Sequence, residues 1–435
     1  MKKQYILRGF LTLAILLCVQ ALAGAQTTET EEKALVGEDV VLRWNRVLME
    51  TVRTPGQHPA TIMPVRSYAM MHAAIFDAVN SIDGTYTAYL TDIPGSKNAS
   101  IDAAAAQAAH DVLVGLYPTR ASVFDAELAA SLEGIDAYRA QQGIRVGQRV
   151  AIQMLAVRAN DGWNVTPPSY TLPSTPGNWQ PTPPANSAAT FTHYPGVTPF
   201  AVQSATHFQP APPPAMTSVE YAAALNEVKE IGSATSTTRT ADQTQAARLW
   251  ANVNTPTNFL FVWNNVARTV AEERGIDTVA KARLLALTNI ALHDALQTAF
   301  ASKFVYGLWR PVTAIRRADE DGNADTLADP AWNSLIATPP YPSYAGNMAT
   351  IGMSQSTVLA MFFGRDDIRF SHTWEGAGGA TRLYPGFAAM ANEQERARVW
   401  GGIHFTFDNV AGQSIGRNVG TYVFQNIMRP RGCVQ

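Results

Sequence analysis

Two basic fragments in the second half of the chain carry residues whose types and spacing suit oxyanion chemistry. The first fragment holds Lys303 and Arg310, seven residues apart. The second holds Arg398, with His404 six residues later and Asp408 four residues after that. Cations donate charge-assisted hydrogen bonds to phosphate-like oxygens, and an imidazole oriented by a carboxylate supplies a ligand or a nucleophile. The two fragments together predict a site for a tetrahedral oxyanion.

The elements that carry the first fragment must aim both cations at one place. Residues seven apart on a helix share a face, so Lys303 and Arg310 can point the same way. Pro311 disfavours helical dihedrals at Arg310, which places this arginine at a helix end or in the following turn. A helix end is a good place to meet an anion.

The second fragment is predicted to form two helical segments. On a continuous helix Arg398 and His404 would lie about 120° apart, but Gly401 and Gly402 between them predict a break. His404 then opens the second segment. Asp408 lies one turn further on, where its carboxylate fixes the imidazole tautomer and makes the free nitrogen a better ligand or nucleophile.

Both fragments resemble the signature of the vanadium-dependent haloperoxidases and the related type 2 phosphatidic acid phosphatases. In that signature a lysine precedes an Arg-Pro pair, a Pro-Ser-Gly-His box follows, and an arginine precedes a histidine. Lys303, Arg310 and Pro311 match the first part, and Arg398 and His404 match the third. The fragments MMHAAIFDAVNSID, PGNWQPTPP and WRPVTAIRRADEDGN resemble bacterial haloperoxidases, so the resemblance covers most of the chain.

The central box of the signature is degenerate in this chain. Residues 345–348, Ala-Gly-Asn-Met, stand where Pro-Ser-Gly-His is expected. An alternative alignment anchored on Pro342 and Ser343 puts Tyr344 and Ala345 at the glycine and histidine positions, so it supplies no histidine either.

The resemblance implies roles for individual residues. Lys303, Arg310 and Arg398 are expected to bind the oxygens of vanadate or phosphate. His404 is expected to be the apical ligand of vanadium, or the nucleophile toward phosphorus in a phosphatase, with Asp408 as its catalytic partner. The structural alternative makes the two arginines partners of buried carboxylates and the His404 and Asp408 pair a surface contact.

Three residues of the degenerate box carry the remaining expectations. Gly346 and Asn347 are expected to bind the oxyanion, Gly346 through its backbone N–H because it has no hydroxyl. Met348 takes the place of the acid–base histidine. A thioether carries no proton at any relevant pH, so a loss of ~10²–10⁴-fold in rate is implied unless another group substitutes.

The primary hypothesis is therefore a haloperoxidase-family protein that binds vanadate and oxidises halide, or a small organic substrate, with hydrogen peroxide. Two alternatives stay open. One is a phosphatase-like phosphoric ester hydrolase that uses His404. The other is an oxyanion-binding protein without turnover, in which vanadate is replaced by phosphate or absent. Each hypothesis allows a homodimer.

The N-terminus is predicted to be a signal peptide of residues 1–25. Lys2, Lys3 and Arg8 precede an apolar run that is too short to span a bilayer, and residues 23–25, Ala-Gly-Ala, offer a cleavage site. The mature protein is expected to be secreted or periplasmic, with no membrane span after cleavage.

Composition limits the function classes that remain. Removing the signal peptide leaves 30 Lys and Arg against 35 Asp and Glu, because three of the 33 cations lie there. A net charge of −5 argues against a nucleic-acid partner. Cys433 is then the one cysteine left, which excludes an intramolecular disulfide and a cysteine metal site.

The predicted fold is an all-α helical bundle of the vanadium haloperoxidase and acid phosphatase type with long ordered loops. An N-terminal helical region (26–165) precedes a Pro-rich loop (166–216) and a C-terminal helical bundle (217–435) that carries the oxyanion site. No run of strand periodicity is recognised. The loop is rich in aromatic residues, which favours an ordered segment that wraps the protein over a flexible linker.

Two further groups of residues invite metal-site interpretations. His72 and His110 each lack a partner at metal-ligand spacing, so they are expected to pack or cap. Asp319, Asp321 and Asp325 lack the glycine and glutamate positions of a calcium loop, so a turn is expected there.

Overall fold

The computed structural model describes residues 37–57, 62–94, 97–251, 259–375 and 379–432. Within these residues the chain forms thirteen α-helices and one two-stranded sheet, which confirms the predicted all-α fold. The predicted signal peptide and Cys433 lie outside the described residues. In the described part, no helix is both long and apolar enough to cross a membrane.

The helices fall before and after the Pro-rich loop. Those before it are α1 (Val40–Arg53), α2 (Val65–Asp83), α3 (Ile101–Leu116), α4 (Ala121–Leu132) and α5 (Ala137–Arg158). Those after it are α6 (Val219–Ile231), α7 (Ala241–Ala251), α8 (Phe259–Glu273), α9 (Thr278–Tyr306), α10 (Pro311–Arg316), α11 (Asn347–Phe363), α12 (Phe387–Trp400) and α13 (Thr406–Asn426). The sheet pairs β1 (Phe370–Trp374) with β2 (Ala380–Tyr384), antiparallel.

Several helices begin where a short polar side chain satisfies a free backbone N–H. Asp39 accepts from the Val41 N–H before α1, and Ser100 accepts from the Ala103 N–H before α3. Asp277 caps α9 in the same way. Such caps each stabilise a helix by about 1 kcal/mol, so Asp39, Ser100 and Asp277 favour the observed starts of these three helices.

Two rows of glycine set the closest helix contacts. On α13, Gly412 and Gly416 lie against the backbone oxygens of Gly346 and Thr350 at the start of α11, where an added Cβ would collide. Spaced four residues apart, these glycines share one face of α13. We call α8, α9, α11, α12 and α13 the second bundle.

The same contact occurs in the first half of the chain. On α5, Gly143 lies against the Ser100 oxygen and Gly147 against the Ala104 oxygen at the start of α3. We call α1, α2, α3 and α5 the first bundle. The two bundles meet through α2 and α9, which contact each other.

A buried amide network joins the bundles near this contact. Asn45 on α1 bonds His72 at 2.8 Å and donates to Asn264 on α8 at 2.8 Å. Asn264 and Asn289 exchange hydrogen bonds of 3.0 and 3.1 Å. His72 is therefore a packed, hydrogen-bonded histidine, as predicted.

The Pro-rich loop (166–216), here called the strap, crosses the second bundle. Its Trp179 N–H donates to Gly307 O at 2.7 Å. Asp294 on α9 accepts from the backbone N–H groups of Phe200, Ala201 and Val202 at 2.6–2.9 Å. The ordered, wrapping character expected from its aromatic content agrees with these contacts.

The prediction that strand periodicity is absent was wrong for one short segment. In β1, Phe370, His372 and Trp374 are buried while the residues between them are exposed. Trp374 packs edge-on against Trp250 with ring centroids 4.7 Å apart. The alternation spans only five residues, which is too short to distinguish from chance in the sequence.

The remaining candidate metal ligands have local partners. His110 contacts Asp111 at 2.7 Å and Asp125 at 2.9 Å. Asp321 accepts from the Asn323 N–H and the Thr326 hydroxyl, so the acidic segment forms a turn. Among the described residues, no cluster of three or more His, Cys, Asp or Glu side chains could hold a metal ion.

Candidate oxyanion site

The end of α9 positions Lys303 and Arg310. The helix stops at Tyr306, and Gly307 turns the chain in a left-handed conformation with φ of 58°. Arg310 has an extended backbone (φ −84°, ψ 156°) and stands directly before Pro311, the first residue of α10. The prediction that proline places this arginine in the turn after a helix is confirmed.

Lys303 is fully buried, and its hydrogen-bond partners among the described residues are all backbone carbonyls. Its Nζ donates to Pro342 O at 3.2 Å, Ser343 O at 2.8 Å and Ala345 O at 2.6 Å. Burial lowers the pKa of Lys303 well below its ordinary value, and the charge of Arg310 lowers it further. An anion beside this ammonium would relieve both effects.

Arg310 bonds the candidate histidine directly. Its Nε donates to Tyr341 O at 2.8 Å, and its Nη1 donates to Ile403 O at 2.9 Å and contacts His404 Nε2 at 3.1 Å. A guanidinium has donors only, so Nε2 must be the acceptor. The imidazole therefore carries its proton on Nδ1.

His404 donates that proton to Asp408. The distance from Nδ1 to Asp408 Oδ2 is 2.9 Å, which confirms the predicted pair. His404 itself lies two residues before α13, which begins at Thr406. The expectation that His404 opens the helix was wrong because Asp408 accepts from the Phe405 N–H at 3.1 Å, and that contact sets the helix start at Thr406.

Ser343 completes the arrangement around Asp408. Its hydroxyl donates to Asp408 Oδ2 and lies 3.4 Å from His404 Nδ1. Its carbonyl accepts from Lys303, as described above. Ser343 thereby links the lysine of one helix to the carboxylate of another.

Arg398 approaches the same place from the end of α12. Its Nη1 donates to Trp250 O at 2.9 Å, while its Nε has no hydrogen-bond partner in the described part of the chain. Burial lowers the pKa of Arg398 to about 10, Tyr341 acts in the opposite direction, and Arg310 lowers it further. Arg398 therefore lies within electrostatic range of Tyr341 and Arg310.

Burial and three nearby cations keep His404 neutral. Burial holds the pKa of His404 well below its ordinary value, and the charges of Arg310, Lys303 and Arg398 lower it further. Burial raises the pKa of Asp408, whereas its hydrogen bond from Ser343 lowers it. A neutral imidazole with an unprotonated Nε2 is the form that binds an electrophilic centre.

The buried cations have no carboxylate partner among the described ion pairs. Arg310 Nη2 and Arg398 Nε are also buried without a hydrogen-bond partner in the described residues. The structural alternative, in which both arginines pair with buried carboxylates, does not agree with this geometry. Donors left over in a cationic, buried site fit a tetrahedral oxyanion.

The residues of the degenerate box lie at the start of α11. The Gly346 N–H donates to Asp408 O at 2.8 Å, so the donor expected for the oxyanion is already used. A Cβ at Gly346 would lie 2.5 Å from Asn409 Oδ1, so a serine there would require the Asn409 side chain to shift. Asn347 contacts Tyr341 Oη at 3.5 Å, and it remains a candidate oxyanion ligand.

Met348 is buried in the first turn of α11. Its Sδ lies 3.9 Å from Nε2 of Gln394, whose Oε1 accepts from Trp263 Nε1 at 2.8 Å. Gln394 stands one helical turn before Arg398 on α12, so Met348 lies on the side of the site that Arg398 enters.

Sequence reasoning missed two residues of the site. Tyr341 was not considered, and Ser343 was used only to anchor an alignment. The relation of Tyr341 and Ser343 to the site becomes clear only when the fold places Lys303 and Arg310 beside them. In the sequence, the one signal is that both residues lie between the two cationic fragments.

Residues 283–432 match a family model described as the VCPO second helical-bundle domain. This range covers most of α9 and all of α10 to α13. A vanadium chloroperoxidase from Curvularia inaequalis is similar at 28% identity over 397 residues, which covers 72% of this chain and 63% of the relative. The chain thus spans less than two thirds of that relative's length.

Solved structures show the same fold over nearly the whole chain. A bacterial vanadium-dependent iodoperoxidase superimposes with a TM-score of 0.76 at 23% identity, covering 90% of this chain and 96% of the other. A bacterial vanadium-dependent chloroperoxidase, in its holo form, gives 0.69 at 16% identity, covering 86% and 93%.

Proposed function

We propose that the chain is a member of the vanadium-dependent haloperoxidase family, and that it is a secreted or periplasmic enzyme that binds vanadate and oxidises halide with hydrogen peroxide. The site residues proposed for this activity are Lys303, Arg310, Asn347, Arg398, His404 and Asp408. A homodimer stays a prediction.

The observation that supports this proposal is a buried cluster of three cations that have no direct ion-pair partner among the described residues. Lys303, Arg310 and Arg398 make no ion pair in the described part of the chain, and the adjacent carboxylate of Asp408 is bonded to His404. Burying unpaired charges costs several kcal/mol per ion. The carboxylate of Asp408 offsets part of that cost for Lys303 and Arg310, and a bound oxyanion would offset more of it.

The residues present fit vanadate. Lys303, Arg310 and Arg398 would neutralise its oxygens, and Nε2 of His404 would be the ligand nitrogen. When bound, vanadate activates hydrogen peroxide toward the halide. Arg310 Nη1 donates to Nε2 in this structure, and this donor would be available to the oxyanion once Nε2 acted as a ligand. Asp408 holds the ring so that Nε2 faces the cations.

We propose that Met348 stands at the position of the family's acid–base histidine. It contacts Gln394 and carries no proton, so it neither donates to nor accepts from a reacting oxygen. Turnover therefore requires another proton carrier, or is slower than in relatives with the histidine by ~10²–10⁴-fold.

The test is peroxide-dependent oxidation of bromide and iodide by the purified protein, with and without added vanadate. Activity that requires both vanadate and peroxide is the expected result. His404→Ala should lose it, whereas Arg396→Ala should keep it because Arg396 pairs with Glu227 at the protein surface. Full vanadate occupancy without halide oxidation would contradict the proposal.

A phosphatase is the second candidate function. The supporting observation is that Asp408 fixes the Nδ1 proton of His404, which leaves Nε2 as a nucleophile for phosphorus just as well as a ligand for vanadium. Hydrolysis of a phosphate monoester, with no vanadate-dependent oxidation, would identify it. Binding of vanadate or phosphate with neither activity would identify a non-catalytic oxyanion-binding protein.

A further inference from the structure

Tyr341 is the tyrosine that faces the cationic cluster. Lys303 Nζ lies 5.4 Å and Arg310 Cζ 5.0 Å from the centroid of its ring. Its carbonyl accepts from Arg310 Nε at 2.8 Å. The phenol is thereby fixed against the two cations that would hold the oxyanion.

The ring is held from its other sides by aromatic residues. Phe300 of α9 packs against it with centroids 5.1 Å apart, and Phe191 of the strap lies at 6.3 Å. Tyr341 therefore has little freedom to turn away from the site. Its residual exposure of 8% contrasts with full burial of Lys303 and Arg310, so its side chain is the more accessible to solvent.

The hydroxyl of Tyr341 has an unused proton. Its Oη accepts from Asn347 Nδ2 at 3.5 Å. No acceptor for its O–H is found among the described residues. Nearby tyrosines differ: Tyr344 donates to Ala211 O and Tyr306 to Pro210 O, both at 2.6 Å.

We infer that Tyr341 is the catalytic proton carrier that takes over the task for which Met348 is unsuited. This inference rests on the proposed haloperoxidase function. A phenol donates and accepts protons in general acid–base catalysis. Donation leaves a phenolate whose ring lies beside Lys303 and Arg310, and the partial exposure of the side chain lets solvent return the proton.

The proton has a defined destination. Halide and one peroxide oxygen form a bond to give hypohalous acid, and the peroxide O–O bond breaks. The halide loses two electrons and the peroxide gains them. The second oxygen leaves as water only if it receives a proton, which Tyr341 supplies and then regains from solvent. One proton is thus consumed from solvent in each turnover.

The kinetic test is Tyr341→Phe, which keeps the ring beside the two cations and removes only the hydroxyl. We expect unchanged vanadate affinity and a fall in kcat for halide oxidation of ~10²-fold or more. Tyr344→Phe is the matched control, because that hydroxyl is committed to Ala211 of the strap. It should leave kcat unchanged.

A second measurement does not depend on turnover. Protein labelled with 3-fluorotyrosine gives one fluorine signal per tyrosine, and the signals of Tyr341 and Tyr344 are assigned from the two variants. Added inorganic phosphate should shift the Tyr341 signal, because the anion changes the charge beside the ring. The Tyr344 signal should move far less.

Distinct outcomes overturn the two proposals. Equal kcat in wild type and Tyr341→Phe at full vanadate occupancy overturns the role of Tyr341 and leaves the haloperoxidase proposal intact. If Tyr341→Phe lowers vanadate affinity enough to account for the whole fall in activity, Tyr341 has a structural role, and the proton-carrier proposal is overturned too. A Tyr341 signal that stays fixed while phosphate binds does the same. Wild type that binds vanadate but oxidises no halide overturns both proposals.

Discussion

The first and second bundles share one backbone contact and differ in the chemistry around it. Ser100 N–H donates to Arg139 O at 3.0 Å in the first bundle, and Gly346 N–H donates to Asp408 O at 2.8 Å in the second. In both, the donor stands directly before a helix that a glycine row then approaches. The scaffold of the site is therefore present twice in the chain.

The side chains at this contact are not alike. Four residues before Arg139 stands Ile135, whereas four residues before Asp408 stands His404. Arg139 is exposed and donates to Asn98 O at 3.3 Å. The helix contact therefore forms without a buried polar pair in the first bundle. The pair of His404 and Asp408 in the second bundle has a role other than packing.

The polar groups of the candidate site come from the last turns of helices and from the connections between helices. Arg310 precedes α10, and Ser343 and Tyr341 precede α11. Lys303 lies in the last turn of α9 and Arg398 in the last turn of α12. Polar side chains at helix ends can be substituted while the glycine rows preserve the helix packing.

The largest expected effect that tests this separation is that of Arg398→Ala on oxyanion affinity. The variant loses a fork of two charge-assisted hydrogen bonds, each worth ~1.5–3 kcal/mol. Vanadate or phosphate affinity should fall by ~10²–10⁴-fold, as titration calorimetry would measure. The fold should persist, because removing one of three clustered cations relieves repulsion.

The matched control for that variant comes from the first bundle. Arg139→Ala removes an arginine beside the equivalent backbone contact and should leave oxyanion affinity unchanged. Unchanged oxyanion affinity in Arg398→Ala, or a comparable loss of affinity in Arg139→Ala, would contradict the claim that only the second bundle binds the oxyanion.

The next effect is a gain of activity in Met348→His. The imidazole would stand beside the oxyanion and restore acid–base catalysis, with up to ~10²-fold faster halide oxidation. Burying the ring without a partner would cost ~1–3 kcal/mol, but Gln394, now 3.9 Å from Sδ, offers one. Equal rates at undiminished vanadate occupancy would show that Met348 is not at the catalytic position.

The sequence predicts the second bundle's site better than it predicts what surrounds it. Lys303, Arg310 and His404 are recognisable because their spacing is local and Pro311 restricts one of them. The contact of His404 with Asp408 follows from a spacing of four residues. Tyr341 and Ser343 escape prediction, since their relation to Lys303 depends on a chain reversal that no local pattern encodes.

The duplication of the scaffold was also missed in the sequence. Its signals are short: Gly143 and Gly147 repeat the spacing of Gly412 and Gly416. Glycine spacing by itself does not reveal which helix it faces. The structure shows that both rows allow close helix packing, because a Cβ added at any of these glycines would collide with a carbonyl oxygen of the neighbouring helix.

Glycine-to-alanine substitutions in the two rows give the third prediction. Gly143→Ala and Gly412→Ala each place a Cβ against a backbone oxygen, so each should destabilise the fold by ~1–3 kcal/mol. Gly412→Ala should in addition weaken oxyanion binding, because it displaces Gly346, which is bonded to Asp408. Urea unfolding and phosphate titration measure the two effects separately. Equal phosphate affinity in both variants would contradict this part.

The smallest effect concerns the amide network where the bundles meet. His72 stands five residues before Asp77, and Asn289 stands five residues before Asp294. Both aspartates accept three backbone N–H groups, Asp77 from residues 89–91 and Asp294 from the strap. His72 and Asn289 therefore hold equivalent places, one titratable and one not.

His72→Asn should change the free energy of unfolding at pH 7 by no more than about 1 kcal/mol relative to the wild type. The variant should also lose less stability than the wild type as the pH falls. Burial, and then the charge of Arg268, lower the pKa of His72 to about 3. Above about pH 6.5 neither state binds a proton at this residue. As the pH falls from there toward 3, only the unfolded chain does, so the folded state loses about 1.4 kcal/mol per pH unit. In urea unfolding between pH 7 and 5, the free energy of unfolding of the variant minus that of the wild type should increase by this amount per pH unit as the pH falls. The other titrating groups are common to both proteins and cancel in the difference. Parallel curves would mean that His72 is protonated in the folded protein or that the two bundles are not equivalent here.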